Sequence, residues 1–230
     1  FEIDPALAIL DRLAGDAAAT SQHVARHHEV AELQPDLAQP ALLATSVAAA
    51  RVLASEGGIV PRIAAGHSLG EWSAWVAVGA LDLAPALRAV RLRGRLMEEA
   101  VPAAGGPRAP GLGAELDKGA PLSAEAGRSE EQVVPANLNG GRQIVVSGHE
   151  PAVARLESAA AAARLRTARL RVSAPFHSPL MAPAAAGMAR VLAEMSFEAP
   201  RAPVVSNVDG RPCEDSRRIS SLLREQITAP

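Results

Sequence analysis

One short stretch limits what this chain can fold into more than any other: Gly66-His67-Ser68-Leu69-Gly70-Glu71, a G-x-S-x-G pattern. Ile63, Ala64 and Ala65 before it read as the end of a buried strand, and Leu69 to Val78 after it suit a helix, with Trp72, Trp75 and Val76 at i, i+3, i+4 spacing. Glycines on both sides of Ser68 allow a sharp strand-to-helix turn and keep bulk away from the hydroxyl. The helix then points its first N–H groups, and the positive end of its dipole, at any oxyanion formed there, with Leu69 N–H as the natural first donor. A glycine-rich turn with an N-capping serine has the same local pattern, so the sequence at this point is compatible with a nucleophile or a cap.

Composition removes several classes of function. With 230 residues the chain can bury a full core, as one large domain or one domain with a smaller insertion. A net charge of −2 with 21% charged residues gives no signal for nucleic acid or an anionic membrane surface. Cys213 is the only cysteine, which excludes an internal disulfide and fits a reducing, cytoplasmic compartment. No apolar run is expected to span a bilayer, and no signal-peptide pattern opens the chain, whose first residue, Phe1, suggests an excised domain. Tyrosine is absent, so it has no part in any chemistry.

Residues 1–38 read as one or two polar-faced helices carrying His23, His27 and His28; His23 and His27 have a metal-ligand spacing, but no third ligand follows, so surface histidines are the expectation. Gln39-Pro40-Ala41 opens a long helix with Leu42, Leu43, Val47, Ala50 and Leu53 on one face, ended by Gly57-Gly58. A helix over about 84–100 places Leu87, Val90, Leu92 and Met97 on its apolar side and Arg88, Arg91, Arg93 and Arg95 on the other. From Val101 to about Glu131, Gly, Pro and Ala dominate and periodicity fades, marking the edge of a second, smaller unit. Gln143 to Ser147 is a strand, Pro151 to Ala163 a helix, and Leu165 to Val172 alternates as a half-buried strand does. A helix to about Met195, a strand at 204–206 and a final helical stretch from Ser220 to Ile227 complete the chain.

Two more residues stand out. His177 follows a strand in the Pro-bracketed loop Ser173-Ala-Pro-Phe-His177-Ser-Pro, where an imidazole suits a general base for a serine; a packing role fits the same local pattern. Arg93 has the fork that grips a carboxylate, yet on local evidence a helix with four arginines reads first as a solvated face.

Taken in order, Gly66 to Glu71, Arg91-Leu-Arg93-Gly94-Arg-Leu-Met97, Asn137-Leu-Asn139 with Gln143 to Gly148, and Ser173 to Met181 closely resemble the malonyl-CoA:acyl carrier protein transacylases and the acyltransferase domains of polyketide synthases. Gln39 to Leu43 and Asn207-Val-Asp209 look like further positions of that family, and the likeness covers nearly the whole chain. It implies that Ser68 carries the acyl group as an ester, that His177 activates the serine and then the phosphopantetheine thiol, and that Arg93 pairs with the free carboxylate of a malonyl group. It further implies a main-chain carbonyl near Gln226 orienting His177, Asn137 and Asn139 beside the pantetheine arm, and Gln39 in the pocket wall. Phe176 before the histidine resembles malonyl-selecting domains, since a ring there crowds an α-methyl.

The family pattern opens with a strand and a G-Q-G-x-Q loop supplying the second oxyanion donor, and the sequence begins beyond it; such a donor is worth about 10²–10³ in rate. Residues 105–113 are rich in breakers where the family has regular structure, so the small unit is expected to be irregular.

The expectation is therefore an α/β fold: a hydrolase-like large subdomain with a parallel sheet, formed by 1–101 and 173–230, with an inserted small ferredoxin-like subdomain at 102–172. The function implied is transfer of malonyl from CoA to an acyl carrier protein, with no metal or redox cofactor. A serine hydrolase, and an inactive fragment that keeps the motifs, are the alternatives.

Overall fold

In a computed structural model of the chain the described residues are 35–100, 112–115, 123, 125–127, 131–139, 143–170 and 174–230. The helices and histidines expected within 1–34, most of the breaker-rich stretch, and Ser173 lie outside them. The fold is α/β and comprises two compact units, one of 1–96 with 187–224 and one of 97–186 with 225–230.

In the first unit, α1 (Pro35–Gly57) begins earlier than the sequence suggests, so that Pro40 lies inside it. Pro40, Ala41, Leu43, Ala44 and Val47 are buried, whereas Leu42 and Leu53, expected on the same face, are exposed. The helix passes, by length and composition alone, as long and apolar enough to cross a bilayer, contrary to the expectation that no run approaches that length. Its buried stripe packs against α2 (Leu69–Ala77), as a core helix does. Trp72 and Trp75 of α2 are fully buried, one side chain on each of two successive turns. The next helix, α3 (Leu83–Glu99), buries Ala86, Val90, Arg93 and Met97 along one stripe.

A three-stranded sheet completes this unit, with β1 (Ala64–Ala65) parallel to β6 (Val204–Val205) and β6 antiparallel to β7 (Pro212–Cys213). β1 is an edge strand among the described residues, and Ile63 and Ala65 are exposed, not buried as their apolar run suggested. β7 carries no sequence signal, because two residues cannot show alternation. The final helix, α6 (Ser216–Glu225), starts four residues before the expected Ser220 and buries Ile219, Leu222 and Leu223.

The second unit holds a four-stranded antiparallel sheet in the order β3 (Val133–Leu138), β4 (Gln143–Gly148), β2 (Leu112–Glu115), β5 (Ala168–Arg169). α4 (Glu150–Ala162) packs Ala152, Val153 and Leu156 with Val133, Ile144 and Val146 in its core. The breaker-rich stretch thus supplies an interior strand: a four-residue ladder to β4 overrides weak local propensity. Of the strand expected over 165–172, the described part (165–170) holds only Ala168–Arg169, both exposed, where the ladder to β2 spans two residues at the sheet edge. A 3₁₀ turn (Pro179–Met181) leads into α5 (Ala182–Glu194).

Candidate active site

Ser68 stands between β1 and α2 with φ 52° and ψ −104°, a conformation that costs a non-glycine residue on the order of 1–3 kcal/mol. It occupies the N-cap position of α2, yet its side chain makes no capping hydrogen bond, so the capping alternative falls. Gly66 is a steric necessity here: a Cβ would run into the backbone of Gly70 and Glu71. Gly70 is less constrained, since a Cβ there would meet nothing within 4 Å. Leu69, buried, opens the helix, where N–H groups have no intrahelical acceptor.

The Ser68 Oγ accepts a hydrogen bond from Arg93 Nη2 at 2.9 Å, and Arg93 Nη1 donates to Gln39 Oε1 at 2.8 Å. Arg93 is only 1% exposed and belongs to the buried stripe of α3, which overturns its placement on the solvated side. Burial pulls its guanidinium well below the ordinary arginine range, to about 10, with the Glu71 carboxylate pulling the other way. It therefore remains a cation at neutral pH, held beside the serine oxygen. Gly94 makes the arrangement possible, because a Cβ there would collide with the backbone at Pro35 and Asp36; α1 comes close enough for Gln39 to reach the guanidinium.

In the second unit, His177 adopts φ 56° and is 8% exposed. Its Nδ1 lies 2.8 Å from the carbonyl oxygen of the buried Gln226. A carbonyl only accepts, so Nδ1 carries the proton and, in the neutral ring, Nε2 holds the lone pair. Ser178 Oγ donates to Pro175 O at 2.6 Å and Phe176 N–H to Ala174 O at 2.9 Å, closing the loop on itself.

The first unit thus holds a strained serine at a strand–helix turn bonded to a buried arginine, and comparison with known proteins places the chain in a family. The family model described as "Acyl transferase domain" matches residues 19–226. The chain belongs to the acyl transferase domain family. Among relatives, the malonyl CoA-acyl carrier protein transacylase of Escherichia coli strain K12 is 44% identical over 194 residues, 84% of this chain and 62% of that protein. The Bacillus subtilis strain 168 protein of the same name is 41% identical over 194 residues, 84% of this chain and 61% of its own length. The chain thus spans about three-fifths of these relatives. A solved acyl carrier protein S-malonyltransferase from Vibrio cholerae is 37% identical with a TM-score of 0.87, covering 99% of this chain and 74% of the other. A malonyl-transacylase, solved in complex with a type II polyketide synthase acyl carrier protein, is 36% identical with a TM-score of 0.87, covering 99% and 73%.

Within this acyl transferase domain, the first unit brings together Ser68, Leu69, Arg93 and Gln39; the second holds His177, Phe176, Gln226, Asn137 and Asn139. Phe176 is half-buried. Asn137 sits in β3 beside a register irregularity, and Asn139 is exposed with its N–H donating to Gln143 O at 3.1 Å. Among the described residues no group of three or more His, Cys, Asp or Glu is placed to hold a metal.

Two residues had no role assigned from sequence. Glu71, fully buried in the first turn of α2, accepts from Asn207 N–H at 3.1 Å; Asn207 in turn contacts both Ser68 and Gly66. A glutamate two positions past an apolar turn residue was a usable signal, since burial of an acid demands partners. Asn207 had none beyond its family-like setting.

Proposed function

We propose that the chain transfers a malonyl group from CoA to the phosphopantetheine thiol of an acyl carrier protein through an ester on Ser68. The observation that carries this reading is the 2.9 Å bond from Arg93 Nη2 to the Ser68 Oγ. A buried cation beside the nucleophile favours an acyl group ending in a carboxylate, and an acyl chain lacking one leaves the guanidinium without that charge-assisted partner. The relatives named as malonyl transacylases, and the one solved with its carrier protein, support the same substrates.

In this reading His177 Nε2 takes the Ser68 proton as Oγ attacks the thioester carbonyl, while Leu69 N–H and the α2 terminus stabilise the oxyanion. The C–S bond breaks and the CoA sulfur receives the proton from the imidazolium. The carrier's thiol then gives its proton to His177 and attacks the ester; the C–O bond breaks and Ser68 recovers its hydrogen. Phe176 restricts the α-carbon, and Asn137 and Asn139 attend the pantetheine arm. No metal or redox cofactor has a step, and the setting proposed is cytoplasmic.

For the architecture, we read the first unit as hydrolase-like, which its parallel β1–β6 pair before the serine turn supports. The insertion at 102–172 is read as ferredoxin-like. Its four strands, taken in chain order, pair as second–third–first–fourth in an antiparallel sheet, and this supports that reading.

Intact-mass analysis after mixing with malonyl-CoA tests the function. The expected result is one malonyl adduct, absent from Ser68→Ala and discharged by a holo carrier protein. Net CoA release with no adduct would instead make the protein a hydrolase.

A further inference from the structure

The Asn207 side chain does for the nucleophile turn what a strand normally does with its backbone. β1 and β6 pair with Ala64 opposite Val204 and Ala65 opposite Val205, and Ala64 N–H donates to Pro203 O at 2.9 Å. Continued by one step, that parallel ladder has the main-chain N–H of residue 207 on Gly66 O and its C=O on Ser68 N–H. Both places are filled by the carboxamide instead: Nδ2 donates to Gly66 O at 2.7 Å, and Oδ1 accepts from Ser68 N–H at 2.6 Å. The group can face only one way, because a carbonyl needs a donor and an amide N–H an acceptor. The main-chain N–H thus released donates to Glu71 Oε2 at 3.1 Å, tying Asn207 to the first turn of α2.

We infer that Asn207 is the positioning residue that holds Ser68 in its attacking conformation, by bracing the peptides on either side of His67. The inference rests on Ser68 being the acyl-accepting nucleophile. Strain at φ 52° persists only where the surroundings over-determine it, and the carboxamide fixes the serine's own N–H and the carbonyl two residues before it. Asparagine alone offers a donor and an acceptor on a stem short enough to mimic a backbone amide; aspartate lacks the donor and alanine lacks both.

Single-turnover acylation by malonyl-CoA, measured on the full chain, tests this. Asn207→Ala is expected to slow acylation roughly 10²-fold, the penalty of a reacting group about 1 Å out of place. The malonyl-CoA concentration giving half-maximal rate should stay near wild type, because Arg93 and Gln39 do not depend on Asn207. Asn207→Asp supplies a readout that a purely structural role would not move. Ionised, it opposes the Gly66 carbonyl; protonated, it regains a donor. Its rate relative to wild type, taken at each pH, should therefore climb as pH falls. Wild-type acylation in Asn207→Ala, or a flat ratio for Asn207→Asp, overturns the inference; if Asn207→Ala does not fold, the Asn207→Asp ratio decides. A wild-type protein that takes no malonyl on Ser68 overturns the proposed function itself, and this inference with it.

Discussion

The two side chains proposed to react are held by loops built on different principles. Ser68 and His177 both sit at left-handed φ, 52° and 56°, a conformation that side chains other than Gly rarely adopt. Around Ser68 the strain is contained largely by distant parts of the chain, the Asn207 carboxamide and the Arg93 fork, with the nearby Glu71 carboxylate holding Asn207 and Gly66 meeting the local need. Around His177 the containment is mostly local, from Pro175, Pro179 and the Ser178 hydroxyl, with one distant bond to the Gln226 carbonyl. In the proposed roles, the serine is braced through its own N–H and the Gly66 carbonyl, while its Oγ accepts from Arg93. A base must be anchored through its ring, because the orientation of Nε2 is what it contributes.

The sharpest way to break this comparison is to remove the base: His177→Ala should lower acylation by about 10²–10⁴-fold, read by the same mass assay over time, and wild-type rates would remove His177 from the mechanism. Arg93→Ala should cost malonyl-CoA roughly 10²-fold in kcat/KM while sparing acetyl-CoA, the measure of a charge-assisted bond lost to one substrate only. The sign with pH follows from the lowered value of about 10: Arg93 is charged below it and neutral above it, so the preference for malonyl over acetyl should fade as pH rises through about 10. Gly66→Ala drives a Cβ into the Gly70–Glu71 backbone and should cost about 1–3 kcal/mol of stability by thermal or urea unfolding, with acylation falling too. The smallest effect belongs to the histidine loop, where Ser178→Ala removes one hydrogen bond to Pro175 O and should cost about 1 kcal/mol. If Ser178→Ala proved the more damaging of the two, the contrast between a remotely braced loop and a locally closed one would be reversed.

The sequence showed the turn at Gly66 to Gly70 and the helix after it, because close glycines and i, i+3, i+4 periodicity are local properties. Helix periodicity set Arg93 with Arg91 and Arg95 on the polar side of α3, while its motif kept it as a carboxylate partner; only α1 closing over Gly94 turns that position inward. The sequence also overextended β5 within 165–170, since alternation cannot reveal how few ladder partners the sheet edge provides.

What this chain determined by itself is the chemistry on offer: a hydroxyl on a strained turn, an imidazole in a proline-framed loop, and membership of an acyl transferase family through motifs in order. What only the tertiary structure decided is which groups those side chains meet. Gln39 reaches Arg93 across 54 positions and Asn207 reaches Ser68 across 139. The physical reason is range: torsional preferences and periodicity act over a few residues, whereas burial and hydrogen-bond satisfaction are settled only when distant segments pack and exclude water.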